Sequence, residues 1–338
     1  MRTYNHKLIN RGALLMMAMF ISASAISQTD TTAVATDAVE EVEVPQVKKI
    51  KPVKNTFPSV WIIDQQTVMV SQKKTFEMDI MHRFGTVGKG YENFWGMFAP
   101  SNIRLGVSYA PIDNLNVGLG ITKDNMLWDF NAKYAIIKQT PGVYPVSVTY
   151  YGNLSYDTRK DPDGSLFRTT YLKDKNDFLA KTFNISPDRM KFFNQILVAR
   201  KINDKLSLQV GPSWTHQNAV NGYFYRVDSA TKEIRGEMKH ENFAVSVAGR
   251  YKLTDVTAVI FNYDQPLTKH KTNNPSPNIS LGLEFTTSNH AFQIFLGNYY
   301  FLNPQRNSLE NDNYFKNDGK VSLKQFLIGF NVTRLWNY

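Results

Sequence analysis

Phe326-Leu-Ile328-Gly-Phe330-Asn-Val332-Thr-Arg334-Leu-Trp336-Asn-Tyr338 closes the chain. Bulky apolar residues fill almost every even position, and Gly329, Asn331, Thr333 and Asn337 stand between them. Successive side chains of a strand point to opposite faces, so this spacing puts an apolar set on one side and a polar set on the other. Such a strand sits between two different solvents.

The aromatic terminus of that strand resembles the insertion signal of outer-membrane β-barrels. On this reading Phe330, Val332, Trp336 and Tyr338 are what a barrel-assembly machinery recognises. The other end agrees. Arg2, Lys7 and Arg11 precede an apolar run over residues 12–21, then Ser22, Ala23, Ser24 and Ala25. That is the layout of a secretory signal peptide, residues 1–27, with cleavage expected after Ser27. An apolar run of about ten residues is half of the ~20 that span a bilayer as a helix. The chain has no cysteine, which excludes a lipid-modified cysteine anchor and a disulfide framework.

No later stretch reads as a transmembrane helix. Strands escape that test, because outward apolar residues average against inward polar ones. Aromatics reach 13% of residues, with 17 Tyr, 22 Phe and 5 Trp, enough for belts at two membrane interfaces. Three of the charges behind the formal +10 belong to the signal. The remaining bases are scattered, which suits anionic head groups of outer-membrane lipids and argues against nucleic acid. Residues 28–58 are charge-dense and poor in aromatics, from Glu40, Glu41 and Glu43 to Lys48, Lys49, Lys51 and Lys54; they are expected to be a disordered periplasmic linker. The barrel is expected over residues 59–338.

Alternation recurs through that span. Phe76, Met78, Ile80 and Phe84 interleave with Glu77, Asp79 and Arg83, and Ile103, Leu105, Val107 and Tyr109 with Arg104, Gly106 and Ser108. Trp128, Phe130 and Tyr134 interleave with Asp129, Asn131 and Lys133; Val259, Phe261 and Tyr263 oppose Asn262 and Asp264; Ile279, Leu281, Leu283 and Phe285 oppose Glu284. One segment, residues 192–202, is apolar on both faces and its register cannot be set. The pattern predicts an all-β fold, a closed antiparallel transmembrane barrel of about twelve strands, each near the 9–11 residues of a tilted spanning strand. Connections near residues 85–101, 157–188, 217–241, 265–277 and 298–322 are long. Those at 110–113, 138–142, 203–204, 254–255 and 286–290 are short. Long and short alternate, except for a tight turn at 122–125, and this sorting is that of bacterial outer-membrane barrels.

Several phrases are similar to an uncharacterised outer-membrane β-barrel family of Bacteroidota, a domain of unknown function. They are His82-Arg83-Phe84-Gly85 followed by Gly90-Tyr91-Glu92-Asn93-Phe94-Trp95-Gly96, and Asn102-Ile-Arg104-Leu-Gly106-Val-Ser-Tyr109. Leu197-Val-Ala199-Arg200-Lys201, Gly211-Pro212 with His216 and Asn218, and Gly329-Phe330-Asn331 before Arg334 and Trp336 extend it. The resemblance spans residues 75–338, departs at Ala110-Pro111, and implies a fold and a membrane without an activity.

Enzyme chemistry finds little support. A phospholipase of the outer membrane needs a serine within reach of a histidine near the lipid-facing rim. Ser213 and His216 differ by three along one strand and face opposite sides. His240, His270 and His290 are isolated, and Asp161-Pro-Asp163-Gly164 lacks the closing glutamate of a calcium loop. The expectation is no catalytic residue, no metal and no cofactor. What remains is the inward set Glu77, Asp79, Arg83, Arg104, Asp129, Lys133, Asp264 and Glu284. These either line a water-filled constriction for a small polar solute or pair with one another and plug the lumen, leaving a scaffold or receptor. Tyr91, Phe94 and Trp95 form a candidate contact surface on an outer loop.

Overall fold

The computed structural model describes residues 51–160, 187–228, 230, 233–314, 316–317 and 320–337. The signal region, Asp161, Asp163 and Tyr338 lie outside these residues. Twelve strands make the wall: β1 (Thr75–Thr86), β2 (Asn102–Ile112), β3 (Leu115–Thr122), β4 (Leu127–Ile137), β5 (Ser147–Asp157) and β6 (Met190–Lys201). The other six are β7 (Leu206–Gln217), β8 (Glu241–Lys252), β9 (Thr257–Pro266), β10 (Asn278–Thr286), β11 (His290–Gly297) and β12 (Leu327–Asn337). Each pairs antiparallel with its neighbours in sequence, and β12 returns to β1, with Trp336 opposite Phe76 and Phe330 opposite His82. Closure leaves no strand edge, as backbone N–H and C=O groups in hydrocarbon require.

The partition of side chains is the inverse of a water-soluble protein's. On β5, Ser147, Thr149, Asn153, Ser155 and Asp157 are buried. On β11, Phe292, Ile294 and Leu296 are 44, 51 and 40% exposed while Gln293 between them is 3% exposed. Large apolar groups outside and polar groups inside fit an outer face in contact with lipid. The connections sort as the sequence suggested, with short ones at one rim and long ones at the other, apart from the tight turn over residues 123–126 at the long-loop rim. The connection over residues 138–146 is longer than its reading, closed by a bridge between Thr140 and Tyr144.

The interior is not empty. Residues 56–69, entering from the short-turn rim, fold into a small hairpin in which Trp61–Ile62 pairs with Gln65–Gln66. Thr56 and Phe57, read from sequence as linker, are 3 and 2% exposed, and residues 59–69, read as part of the barrel span but of no strand, lie inside it. The sequence misleads here because a segment without alternation reads as loop. Its burial comes from contacts with distant strands: Phe57, Ile62, Ile63 and Val68 pack with Tyr151, Phe193, Leu197, Ala248, Ile260 and Phe295. This also settles β6. Phe193, Leu197 and Ala199 point inward onto the hairpin, and Ile196 and Val198 point outward. With lipid on one face and, around Phe193, Leu197 and Ala199, the apolar hairpin on the other, too few polar positions remain to mark the register.

From the long-loop rim a second element descends. A short helix, α1 (Pro304–Glu310), begins with proline at its first turn and buries Gln305, Arg306, Asn307, Ser308 and Leu309. Gln305 Nε2 donates to Asn153 Oδ1, Gln217 Nε2 donates to the Gln305 carbonyl, and Asn242 donates to Ser308.

Candidate functional site

All eight inward charges predicted from the sequence are buried in the barrel, from 0% exposure at Arg83 to 6% at Asp264. They do not form one site. Asp79, Arg104 and Asp129, on β1, β2 and β4, make a buried triad. Arg104 Nη1 meets Asp79 Oδ2 at 2.5 Å, while its Nε and Nη2 hold both oxygens of Asp129 at 2.9 and 2.8 Å. The guanidinium crosses β3 to do so, and β3 makes room with glycine. A Cβ on Gly120 would fall on Arg104 and Asp129, and one on Gly106 on Arg104 and Asp79. The small inward residues of Gly118-Leu-Gly120 thus clear a path for an ion pair.

A second pair sits on the opposite wall. Arg250 Nε on β8 reaches Glu284 Oε1 on β10 at 2.6 Å, and Gln293 Nε2 donates to the other oxygen at 2.9 Å. Lys133 turns to the hairpin, donating to Gln66 Oε1 at 2.8 Å and the Thr67 carbonyl at 3.3 Å. Arg83 Nη1 donates to Asn331 Oδ1 at 3.0 Å, and its guanidinium lies 4.5 Å above the Phe295 ring. Neither oxygen of Glu77 accepts a hydrogen bond among the described residues.

Wall amides hold the hairpin by its backbone. Gln293 receives Ile63 N and donates to the Trp61 carbonyl; Gln209 receives Val68 N and donates to the Gln66 carbonyl. Asn331 Nδ2 donates to the Ile63 carbonyl at 2.5 Å. Those contacts hold Ile63 at φ 59°, a left-handed conformation rare for a β-branched residue. At the turn, Asp64 joins three elements. Its Oδ1 accepts from Asn262 Nδ2 at 2.9 Å and from the Tyr299 hydroxyl at 2.8 Å, and its Oδ2 accepts from Asn307 Nδ2 on α1 at 3.2 Å. Inner hairpin and outer helix therefore meet inside the barrel. Sequence reasoning missed Asp64 and Asn307, which belong to no alternating segment. Arg250, the partner of Glu284, was not among the candidates either.

Two cavities flank this filling. One of about 560 Å³ opens at the short-turn rim among Ser59, Met69, Ser71, Lys201, Lys205, Arg250 and Lys252. The other, about 10 Å³, lies between hairpin, wall and α1, lined by Trp61, Asp64, Gln65, Tyr151, Gln195, Asp264 and Asn307 among others.

On the outer surface, Tyr91 and Phe98 are 82 and 79% exposed, and Phe94 and Trp95 about half so. Phe94 stacks on Phe98 at 5.7 Å, and Trp95 meets Phe94 edge-on at 5.4 Å. The terminal strand turns its expected set outward: Phe330 stacks on His82 at 5.0 Å, Trp336 lies 5.6 Å from Phe76, and Val332 pairs across the seam with Ile80. Ser213 is buried and bonds the Ala244 carbonyl, whereas His216, on the other face, bonds Asn218 and Glu241. Among the described residues no group of three or more His, Cys, Asp or Glu is placed to hold a metal.

A closed twelve-stranded antiparallel barrel with an apolar exterior defines the class, a membrane-spanning β-barrel. Residues 57–336 match the family described as the membrane bound beta barrel domain (DUF5777), and the chain belongs to that family. The match begins at Phe57, so the inner hairpin is part of the family domain. Among solved structures, the NanC porin shares 8% identity at a TM-score of 0.42, covering 78% of this chain and 99% of its own. An outer membrane channel from Pseudomonas putida F1 shares 10% at 0.42, covering 79 and 97%. The KdgM porin in complex with disordered oligogalacturonate shares 9% at 0.40, covering 78 and 99%. The architecture rests on the closed ladder and not on these likenesses. No curated protein matches the chain.

Proposed function

We propose that this chain is a non-enzymatic outer-membrane barrel of a Gram-negative cell, a conduit for small polar solutes that is closed at rest by its own chain. The signal peptide over residues 1–27 and a Bacteroidota envelope belong to this proposal. So do the long loops outside, the short turns in the periplasm, and assembly by the barrel-insertion machinery. One observation carries it: the lumen is occupied from both rims, and the two plugs touch at Asp64 and Asn307. The hairpin's backbone is held to the wall by side-chain amides, one threonine and Lys133, not by ladder pairing. Water can replace such bonds, which makes the hairpin a removable stopper in a polar wall.

A second reading is a permanently plugged scaffold or receptor. The apolar seat of Phe57, Ile62, Ile63 and Val68, together with the exposed Tyr91, Phe94, Trp95 and Phe98, favours it. Planar-bilayer recording separates the two. The intact protein is expected to be silent, and a variant lacking residues 57–69 to show resolved single-channel steps. In that deletion background Glu284→Ala should shift the reversal potential toward anions. A correctly inserted deletion variant that stays silent leaves the scaffold reading. Phospholipid hydrolysis by the purified protein overturns the non-enzymatic one.

A further inference from the structure

The small inner cavity is where three independent parts of the chain converge. Asp64 comes from the hairpin turn, Asp264 from β9 and Asn307 from α1, and all three line it. The lining is unusual in what it leaves unsatisfied. Asp264 Oδ1 and Asn307 Oδ1 accept no hydrogen bond among the described residues, and Asn262 Oδ1, two positions from Asp264 on the same strand face, accepts none either. Asp264, Asn307 and Asn262 are 6, 2 and 0% exposed, so solvent does not supply the missing donors. The amide orientations are not arbitrary. Asn262 and Asn307 both turn their NH2 groups to the Asp64 carboxylate, which commits their carbonyl oxygens to the other side. Every unsatisfied atom here is thus an oxygen acceptor, and two carboxylates share the space.

Charge is as unbalanced as hydrogen bonding. Arg83 is the base that acts on Asp64. Asp264 is bonded by Asn278, but the charge acting on it is that of Asp64 itself and no base accompanies it among the described residues. A buried carboxylate without a partner is strongly unfavourable unless a cation or a proton accompanies it.

We propose that this cavity binds one dehydrated hard cation of the Ca²⁺ or Na⁺ class, ligated by Asp264, Asn307, Asp64 and Gln65, which pins hairpin and outer helix to the wall. An all-oxygen donor set selects hard cations and disfavours Zn²⁺ and Cu²⁺. A volume of about 10 Å³ takes a single water-sized body. Mg²⁺, which gives up its waters reluctantly and insists on octahedral geometry, does not fit. The cation site does not depend on whether the lumen ever conducts, so the conductance result and this one fail separately.

The test uses the full chain purified in detergent micelles and stripped with chelator. Thermal unfolding followed by loss of the compact band on gel is measured with CaCl₂, NaCl, MgCl₂ or choline chloride. The wild type is expected to gain roughly 5 °C with CaCl₂ or NaCl at a hundredfold excess over Kd, saturably, and nothing beyond ionic strength with MgCl₂ or choline. Asp264→Asn should abolish that gain, and Asp255→Asn, in an exposed turn, should keep it. Terbium supplies a readout on the wild type alone, because Trp61 and Tyr151 line the cavity and sensitise its emission. Calcium should quench that emission by displacement. No cation-specific shift and no displaceable terbium emission mean a buried water only, and overturn the proposal. An equal shift in Asp264→Asn also overturns it.

Discussion

Arg104 is the residue on which most of one wall depends. It neutralises Asp79 and Asp129 at 3% exposure, and among the described residues the two carboxylates have no other base within salt-bridge distance. Removing one partner of a buried ion pair leaves bare charge behind, which costs about 3–5 kcal/mol. Arg104→Ala is therefore expected to lower the unfolding free energy from urea titration by that amount, and Arg104→Ala combined with Asp79→Asn and Asp129→Asn to recover most of it. Additive losses in the triple variant would mean that the triad is not a unit. At this scale the sequence was informative. Period-two reading put Glu77, Asp79, Arg83, Arg104, Asp129, Lys133, Asp264 and Glu284 on the inner face, and the structure buries all eight. It could not pair them, because partners such as Arg104 and Asp129 lie two strands apart, and the separation is set by barrel curvature and not by spacing along the chain.

At the scale of elements, the terminal strand and β6 teach opposite lessons. Phe330, Val332 and Trp336 show their side from sequence alone because Asn331 and Thr333 alternate with them. Phe193 and Leu197 do not, because the hairpin gives β6 a second apolar neighbour. The hairpin itself was illegible: fourteen residues with no period, held by contacts more than a hundred positions away in sequence, such as Val68 with Gln209 and Ile63 with Gln293. Its seat is testable at Leu197, which is 0% exposed. Leu197→Ala should cost about 2–5 kcal/mol through the cavity left behind. Most of that loss belongs to docking of the hairpin, so amide exchange should accelerate at Trp61, Ile62, Gln65 and Gln66 by thirtyfold or more. Protection along the β6–β7 ladder should stay as in the wild type. Uniform acceleration would show that wall and hairpin open together.

For the whole molecule, the decisive property is the inverted partition of polar and apolar surface. Ile294 projects outward at the middle of β11, with Gln293 inward beside it. A charge on the lipid face of a barrel costs about 2–4 kcal/mol near the bilayer midplane. Ile294→Arg should lose that much stability in lipid vesicles, measured by reversible denaturant titration, whereas an exposed-turn change such as Asp204→Arg should be nearly neutral. Equal effects would remove hydrocarbon from the outer face. Closure, strand number and the sorting of connections were all legible from sequence, because each repeats around the wall. The filling of the lumen occurs once, and a single event leaves no period to read.

That filling bears on what the barrel becomes without it. Leu197, Ala248, Ile260 and Phe295, now sealed against Phe57, Ile62 and Ile63, would form a greasy collar on an otherwise hydrophilic bore. Liquid retreats from such a constriction, so ion flow through the vacated tube would be governed by wetting as much as by width. Conductance of the deletion variant should then flicker between dry and flooded states under voltage, well below what its diameter alone would allow.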